Sequence, residues 1–216
     1  MMTFKLVHLA VGLPEEITYE SNKQMNSAIC KKEIESVSLK TAGFEGDGVA
    51  DLKHHGGVER AVCFYPLEHY ETWNRQFNTE LPPAAFGENI MVEGMCENDV
   101  CIGDIYQIGD AVVAVTQGRV PCVTIDRRTG ANGLFKEIMQ TGSTGYFAKV
   151  LREGTIHKDS AISLVSKHKD HISVLTANQL FFQQKKDLDL LTRLLQNEHL
   201  SEKWYAHFSR IKERFN

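Results

Sequence analysis

From residue 4 to about 166 the apolar positions fall in short runs rich in β-branched and aromatic residues, broken by Gly-Asp and similar turn pairs. These runs occupy 5–11, 36–40, 60–65, 89–93, 104–108, 111–116, 146–151 and 161–166. Those at 104–108 and 111–116 meet across Gly109-Asp110 and predict a tight hairpin. Two helices interrupt the strands. Pro66 suits a first helical position ahead of Leu67, Tyr70, Trp73 and Phe77, and Asn132 can cap a second helix carrying Leu134, Ile138 and Met139, ended by Gly142. Many short strands with few helices favour a closed or nearly closed barrel over a doubly wound sheet.

The pattern changes across the polar stretch Lys167-His168-Lys169-Asp170-His171, which is taken to divide the chain into a β domain, 1–167, and a helical domain, 168–216. Thr176-Ala177-Asn178-Gln179 matches a capping box ahead of Leu180 and Phe181. Asp187 can cap a helix bearing Leu188, Leu191, Leu194 and Leu195, and Ser201 another with Trp204, Phe208, Ile211 and Phe215. Each helix is amphipathic and too short to stand alone, so the three should pack on one another or on the barrel. The expected fold is mainly β with added helices.

Composition narrows the partners. The chain has 216 residues, 42% hydrophobic, and a formal charge of -4, so no overall polycation is available for nucleic acid or a membrane surface. No run is long enough to span a bilayer. Five cysteines without an export signal predict reduced thiols and a cytoplasmic location. In the last helix Lys203, Arg210, Lys212 and Arg214 interleave with Glu202 and Glu213, the pattern of a solvated or packing face, so nucleic-acid binding is not expected.

Three segments carry candidate chemistry. In the run from Gly46 to Ala61, Gly56 and Gly57 permit a sharp turn whose backbone N–H groups could face an anion, while Lys53, a histidine and Arg60 add positive charge. A charged β-turn with solvated histidines fits the same residues. His54 and His55 are disfavoured as a metal pair, because neighbours in an extended chain point to opposite faces. The second segment, Phe86-Gly87-Glu88-Asn89, can bind polar ligand edges or be a turn that satisfies its own backbone. The third, Gln117-Gly118-Arg119-Val120-Pro121-Cys122, leaves an apolar strand. Arg119 can favour a thiolate at Cys122 if both turn into one cleft, with Arg127 and Arg128 following. A lone cysteine is more often a small buried hydrophobe. Cys63 reads as core, Cys30 has no chemical company, and Cys96 with Cys101 lacks a second pair to complete a zinc site. No dinucleotide fingerprint, Walker loop or serine-hydrolase elbow is present.

Taken in order, these segments resemble the MOSC family, named for the C-terminal domain of molybdenum-cofactor sulfurase, and within it the bacterial YiiM-like, 6-hydroxylaminopurine-resistance branch. The resemblance runs through Gly46-Asp47, the stretch from Ala50 to Gly57, Arg60-Ala61-Val62, Tyr65, His69, Trp73 and Phe86-Gly87-Glu88-Asn89. It continues through Ile102-Gly103-Asp104, 117–122, Thr144-Gly145-Tyr146 and Arg152. It implies a MOSC-type β-barrel followed by a small three-helix domain. It further implies a molybdenum cofactor (molybdopterin), with Cys122 as metal ligand and Lys53, His55, Gly56, Gly57, Arg60, Asn89 and Arg119 holding the phosphate and pterin. His54 and Asp51 are then candidates for proton delivery or for orienting the basic residues. The implied activity is reduction of N-hydroxylated compounds such as hydroxylaminopurine base analogues, a detoxification role, with electrons from a separate reductase. The alternative is a carrier of the cofactor or its sulfur that turns over no substrate. The helical tail is expected to stabilise a homodimer or dock the electron donor. Gly118 departs from the bulkier residue expected there and is read as widening the pocket mouth.

Overall fold

The structure, a computed structural model, describes residues 3–20, 22–53, 56–183 and 187–215. Seven strands close into a barrel: β1 (Thr3–Val11), β7 (Val62–Pro66), β8 (Ile90–Glu93), β9 (Ile105–Ile108), β10 (Ala111–Gly118), β11 (Tyr146–Arg152) and β13 (Ala161–Ser166). Around the ring they run β13-β9-β10-β11-β7-β8-β1, and β1 pairs back onto β13. Every neighbouring pair is antiparallel except β7 with β8. The two runs flanking Gly109-Asp110 form the expected hairpin, with Ala111 opposite Ile108.

Strand periodicity explains why β7 and β8 are apolar on both faces. Val62 and Phe64 of β7, with Ile90 and Val92 of β8, point into the barrel core. The alternate residues Tyr65 and Met91 enter a second cluster outside it, beneath helix α1 (Glu68–Phe77) and helix α3 (Leu134–Thr141). Tyr70 and Trp73 of α1 and Leu134 and Ile138 of α3 fill that cluster. Pro66 ends β7 rather than opening α1, whose N-cap position is Leu67. Helix α3 is not capped by Asn132. Asp126, in the short helix α2 (Thr124–Thr129), accepts from Gly133 N at 2.6 Å and Phe135 N at 2.9 Å instead.

Five further strands were not anticipated: the hairpin β2 (Glu15–Tyr19) with β3 (Lys23–Ser27), and the short β4 (Lys32–Glu33), β6 (Gly43–Phe44) and β12 (Gly154–His157). β5 (Ser36–Lys40) pairs with both β12 and β6.

The chain then forms α4 (Val174–Gln183), α5 (Leu188–Leu195) and α6 (Glu202–Glu213). Asp187 and Ser201 cap α5 and α6 as expected. Helix α4 begins earlier than its expected capping box, with Ser173 Oγ accepting from Thr176 N at 3.1 Å. Ala177, Leu180, Leu191, Leu194, Trp204 and Phe208 belong to the same hydrophobic cluster as the barrel interior. Polar ties reinforce this seam: Asn197 Nδ2 donates to Ile102 O at 2.9 Å, and Asn178 Nδ2 to Gly142 O at 2.8 Å and Thr144 Oγ1 at 2.9 Å. No helix among the described residues is long and apolar enough to cross a membrane.

Candidate functional site

At one rim of the barrel β10 ends in a register shift between Val115 and Gln117, an irregularity that turns the chain out of the sheet. Arg119 N donates to Gly145 O at 3.0 Å, and the segment then runs to Cys122, whose carbonyl accepts from Ile125 N at 3.0 Å in the first turn of α2. This exit segment borders an open cavity of about 860 Å³, lined also by residues 26–29, Lys31, 47–51, the rim of β7 and β8, and one face of α6.

Cys122 is half-buried, lines this cavity and is not disulfide-bonded. Arg119 lines it too, and its Nη1 is buried with no hydrogen-bond partner among the described residues. A buried guanidinium nitrogen left without a partner is costly, so this atom is suited to an anionic group that the protein itself does not supply. Arg60 reaches the cavity from the 3₁₀ turn Val58–Arg60 and donates from Nη2 to Gly56 O; partial burial pulls its pKa down from the ordinary guanidinium value.

The glycine turn serves this arginine rather than the cavity directly. Gly56 N–H is already taken by Leu52 O at 3.2 Å, and a Cβ on Gly56 would lie 2.8 Å from that oxygen. Gly57 has φ 121°, and its carbonyl accepts from Arg60 N at 2.9 Å. Neither glycine lines the cavity, and neither does Lys53, whose side chain is exposed. Asp51 does line it. His54 and His55 lie outside the described residues.

Asn89 lines the cavity, but its side chain is engaged within the protein. Its Oδ1 accepts from Cys63 N at 3.1 Å, while Nδ2 donates to Asp47 Oδ2 at 2.9 Å and Ala10 O at 3.3 Å. Asp47 also accepts from Gly12 N at 2.8 Å and pairs with the buried Lys31. Asn89 therefore positions two lining residues, Asp47, which the resemblance included without a role, and Lys31, which the sequence reading did not name. The neighbouring Glu88 is wholly buried, receives Tyr70 OH and Phe86 N, and has its carboxyl pKa pushed up by desolvation. That loop satisfies itself, as the turn reading allowed.

Cys63, read as core, is buried and also lines the cavity; desolvation pushes its thiol up to about 11. No group of three or more metal-ligating side chains occurs among the described residues. A metal here would arrive with a cofactor and take one protein thiolate, not a cage of protein ligands.

The helical wall was not anticipated. Lys203, His207 and Arg210 of α6 line the cavity with Phe181 of α4. Their spacing, four then three residues, places the three α6 side chains on one helical face. Burial, with the nearby cations Arg210 and Arg214, lowers the His207 pKa from its ordinary value. Gly118 is explained by the same wall: a Cβ there would fall 1.8 Å from Asn178 Oδ1 and 3.1 Å from Trp204. It admits helices α4 and α6 against the strand end and does not widen the mouth.

The MOSC domain profile matches residues 51–163, and the profile of the YiiM-like, 3-alpha helix domain matches residues 172–210. Protein YiiM of Escherichia coli is 36% identical over 82% of this chain and 81% of its own length. A Gibberella moniliformis protein named reductase is 34% identical over 80% of this chain, a match spanning 32% of that longer protein. The crystal structure of YiiM from Geobacillus stearothermophilus superposes with a TM-score of 0.81 at 28% identity, covering 97% of this chain and 99% of that one. With the closed seven-stranded barrel and three trailing helices, these likenesses show that the chain belongs to the MOSC-domain family, in its YiiM-like branch.

Proposed function

We propose that the rim cavity holds a molybdenum cofactor and that the protein reduces N-hydroxylated compounds, hydroxylaminopurine-type base analogues among them, in a detoxifying role. The observation that carries this reading is the meeting in one cavity of a half-buried thiol, Cys122, and a buried guanidinium nitrogen with no protein partner, Arg119 Nη1. A soft thiolate suits molybdenum, and a cationic pocket suits a pterin phosphate. These residues fit the group.

In this reading Cys122 ligates the metal, while Arg119 and Arg60 hold the phosphate. When bound, the cofactor supplies the two-electron redox centre, and the protein supplies position and charge. The reaction consumes two electrons and two protons, converting R–NH–OH to R–NH₂ and water. The electrons come from a separate donor protein, since the chain carries no second redox motif. Asp51 stands near Lys203 and helps orient the basic residues. Gly56, through its carbonyl, fixes the Arg60 guanidinium. Five cysteines without a disulfide suit a reducing, cytoplasmic setting.

The test is purification from a host that makes the cofactor, followed by molybdenum and pterin analysis of wild type and Cys122→Ala, then turnover of 6-hydroxylaminopurine with an added electron donor. Wild type should carry molybdenum and turn over the analogue, and the variant should do neither. Negligible metal in both proteins, with cofactor supply verified, would sink the assignment. Cofactor retained without turnover would make the protein a carrier.

A further inference from the structure

We propose that the helical wall of the cavity is a nucleotide subsite, so that the N-hydroxylated substrate is taken as a nucleoside phosphate and not as the free base. This inference rests on reading the cavity as the substrate site. It starts from charge. The chain carries a net -4, yet its described cavity lining has five cationic side chains, Lys31, Arg60, Arg119, Lys203 and Arg210, against two carboxylates, Asp47 and Asp51. Lys31 is committed to Asp47, and Arg119 and Arg60 are assigned above to the cofactor. Lys203 and Arg210 come from a different element, α6, and lie on one face of it.

Lys203 also lies within electrostatic reach of Arg60 and Asp51.

The same wall offers flat apolar surface. The Phe181 ring stacks on Trp204 at 4.7 Å between centroids and on His207 at 4.1 Å; Trp204 is 1% exposed, so the ring surface at the cavity comes from Phe181 and His207. His207, whose pKa burial lowers, contributes ring surface. Cations beside an aromatic stack are the pairing that recognises a phosphate joined to a base. At about 860 Å³ the cavity lies in the upper part of the range for small-molecule sites, roughly 300–1,000 Å³, and takes more than a free purine.

Calorimetry on the full chain with adenosine 5′-monophosphate, adenosine and inorganic phosphate tests the assignment without a loaded cofactor. The monophosphate should bind at least about tenfold more tightly than either fragment. Arg210 is exposed, so Arg210→Ala should keep the wild-type melting midpoint while erasing most of that preference, and Arg210→Lys should restore part of it. Equal affinity for adenosine and its monophosphate would overturn the proposal, as would inorganic phosphate matching the nucleotide. A loss of bound molybdenum in Arg210→Ala that parallels the loss of nucleotide affinity would assign these cations to the cofactor phosphate and overturn it too. With loaded enzyme, equal kcat/KM for 6-hydroxylaminopurine and its nucleoside monophosphate would sink this inference alone. No turnover of either, with nucleotide preference intact, would sink the reductase reading and leave the subsite standing.

Discussion

Lys203 Nζ donates to the backbone carbonyl of Lys53 at 2.6 Å, a hydrogen bond that joins the last helix to the glycine turn across 150 positions of chain. Nearby, Glu202 N donates to the Glu59 carboxylate at 3.0 Å. The start of α6 therefore holds both ends of the segment that delivers Arg60.

Replacing Lys203 with Met keeps the aliphatic stem and removes the donor. The loss costs about 1 kcal/mol or less, the scale of one solvent-accessible hydrogen bond. Amide hydrogen exchange at Gly56, whose N–H donates to Leu52 O, should speed up several-fold while the β10 amides stay protected. Unchanged exchange in that turn would mean that α6 does not order it.

Gly118→Ala is expected to destabilise far more than its size suggests. The added methyl meets Asn178 Oδ1 and Trp204, in a seam where strand end and helices have no slack. Overpacking of this kind costs about 1–3 kcal/mol, read as a drop of several degrees in Tm. A variant as stable as wild type would show that α4 can retreat from β10 without loss.

Asn89→Asp should be worse than Asn89→Ala. Alanine removes the contacts to Cys63, Ala10 and Asp47, whereas aspartate sets a carboxylate where an amide N–H faced Asp47 Oδ2 at 2.9 Å. A urea midpoint measured at pH 7 should fall in the order wild type, Ala, Asp.

His199 and His207 both have pKa values pulled below 6.5, chiefly by burial. The unfolded chain thus binds protons at these sites before the folded one does. Their contribution is fully present above pH 6.5 and is lost as pH falls toward the lowered folded values. The Tm should decline between about pH 7 and pH 5.5, and the double variant His199→Gln, His207→Gln should decline less over that window. Parallel profiles would show that other groups govern the acid limb.

The barrel was legible because half-buried strands write their period into the sequence. Ser36–Lys40 and Ala161–Ser166 match their expected bounds, and the Gly109 hairpin closes as read. The strands that escaped notice are short or polar: Glu15–Tyr19 and Lys23–Ser27 have no buried residue to set a pattern. Among the candidate site residues, Arg60, Asp51, Asn89, Arg119 and Cys122 share one cavity, whereas Lys53, Gly56 and Gly57 stand behind it. Lys31 carried no local signal at all, since its place is set by Asp47 from another loop. Lys203, His207 and Arg210 did carry one, a common helical face. What the sequence left unstated was which surface that face would cover.

The single parallel contact in the barrel has a topological cause and a chemical effect. A closed ring with an odd number of strands cannot alternate direction all the way round, so at least one adjacent pair must point the same way. Here that pair is β7 and β8, and their shared direction brings two strand beginnings to one rim. Cys63, the second residue of β7, and Asn89, just before β8, lie at those beginnings and exchange hydrogen bonds there, Asn89 N to Cys63 O at 2.9 Å and Cys63 N to Asn89 Oδ1 at 3.1 Å. Had the two strands opposed each other, one of these residues would sit at the far end of the barrel. Parity, before any side chain is chosen, is what sets Asn89 and its Asp47–Lys31 pair within the same cavity as Cys122.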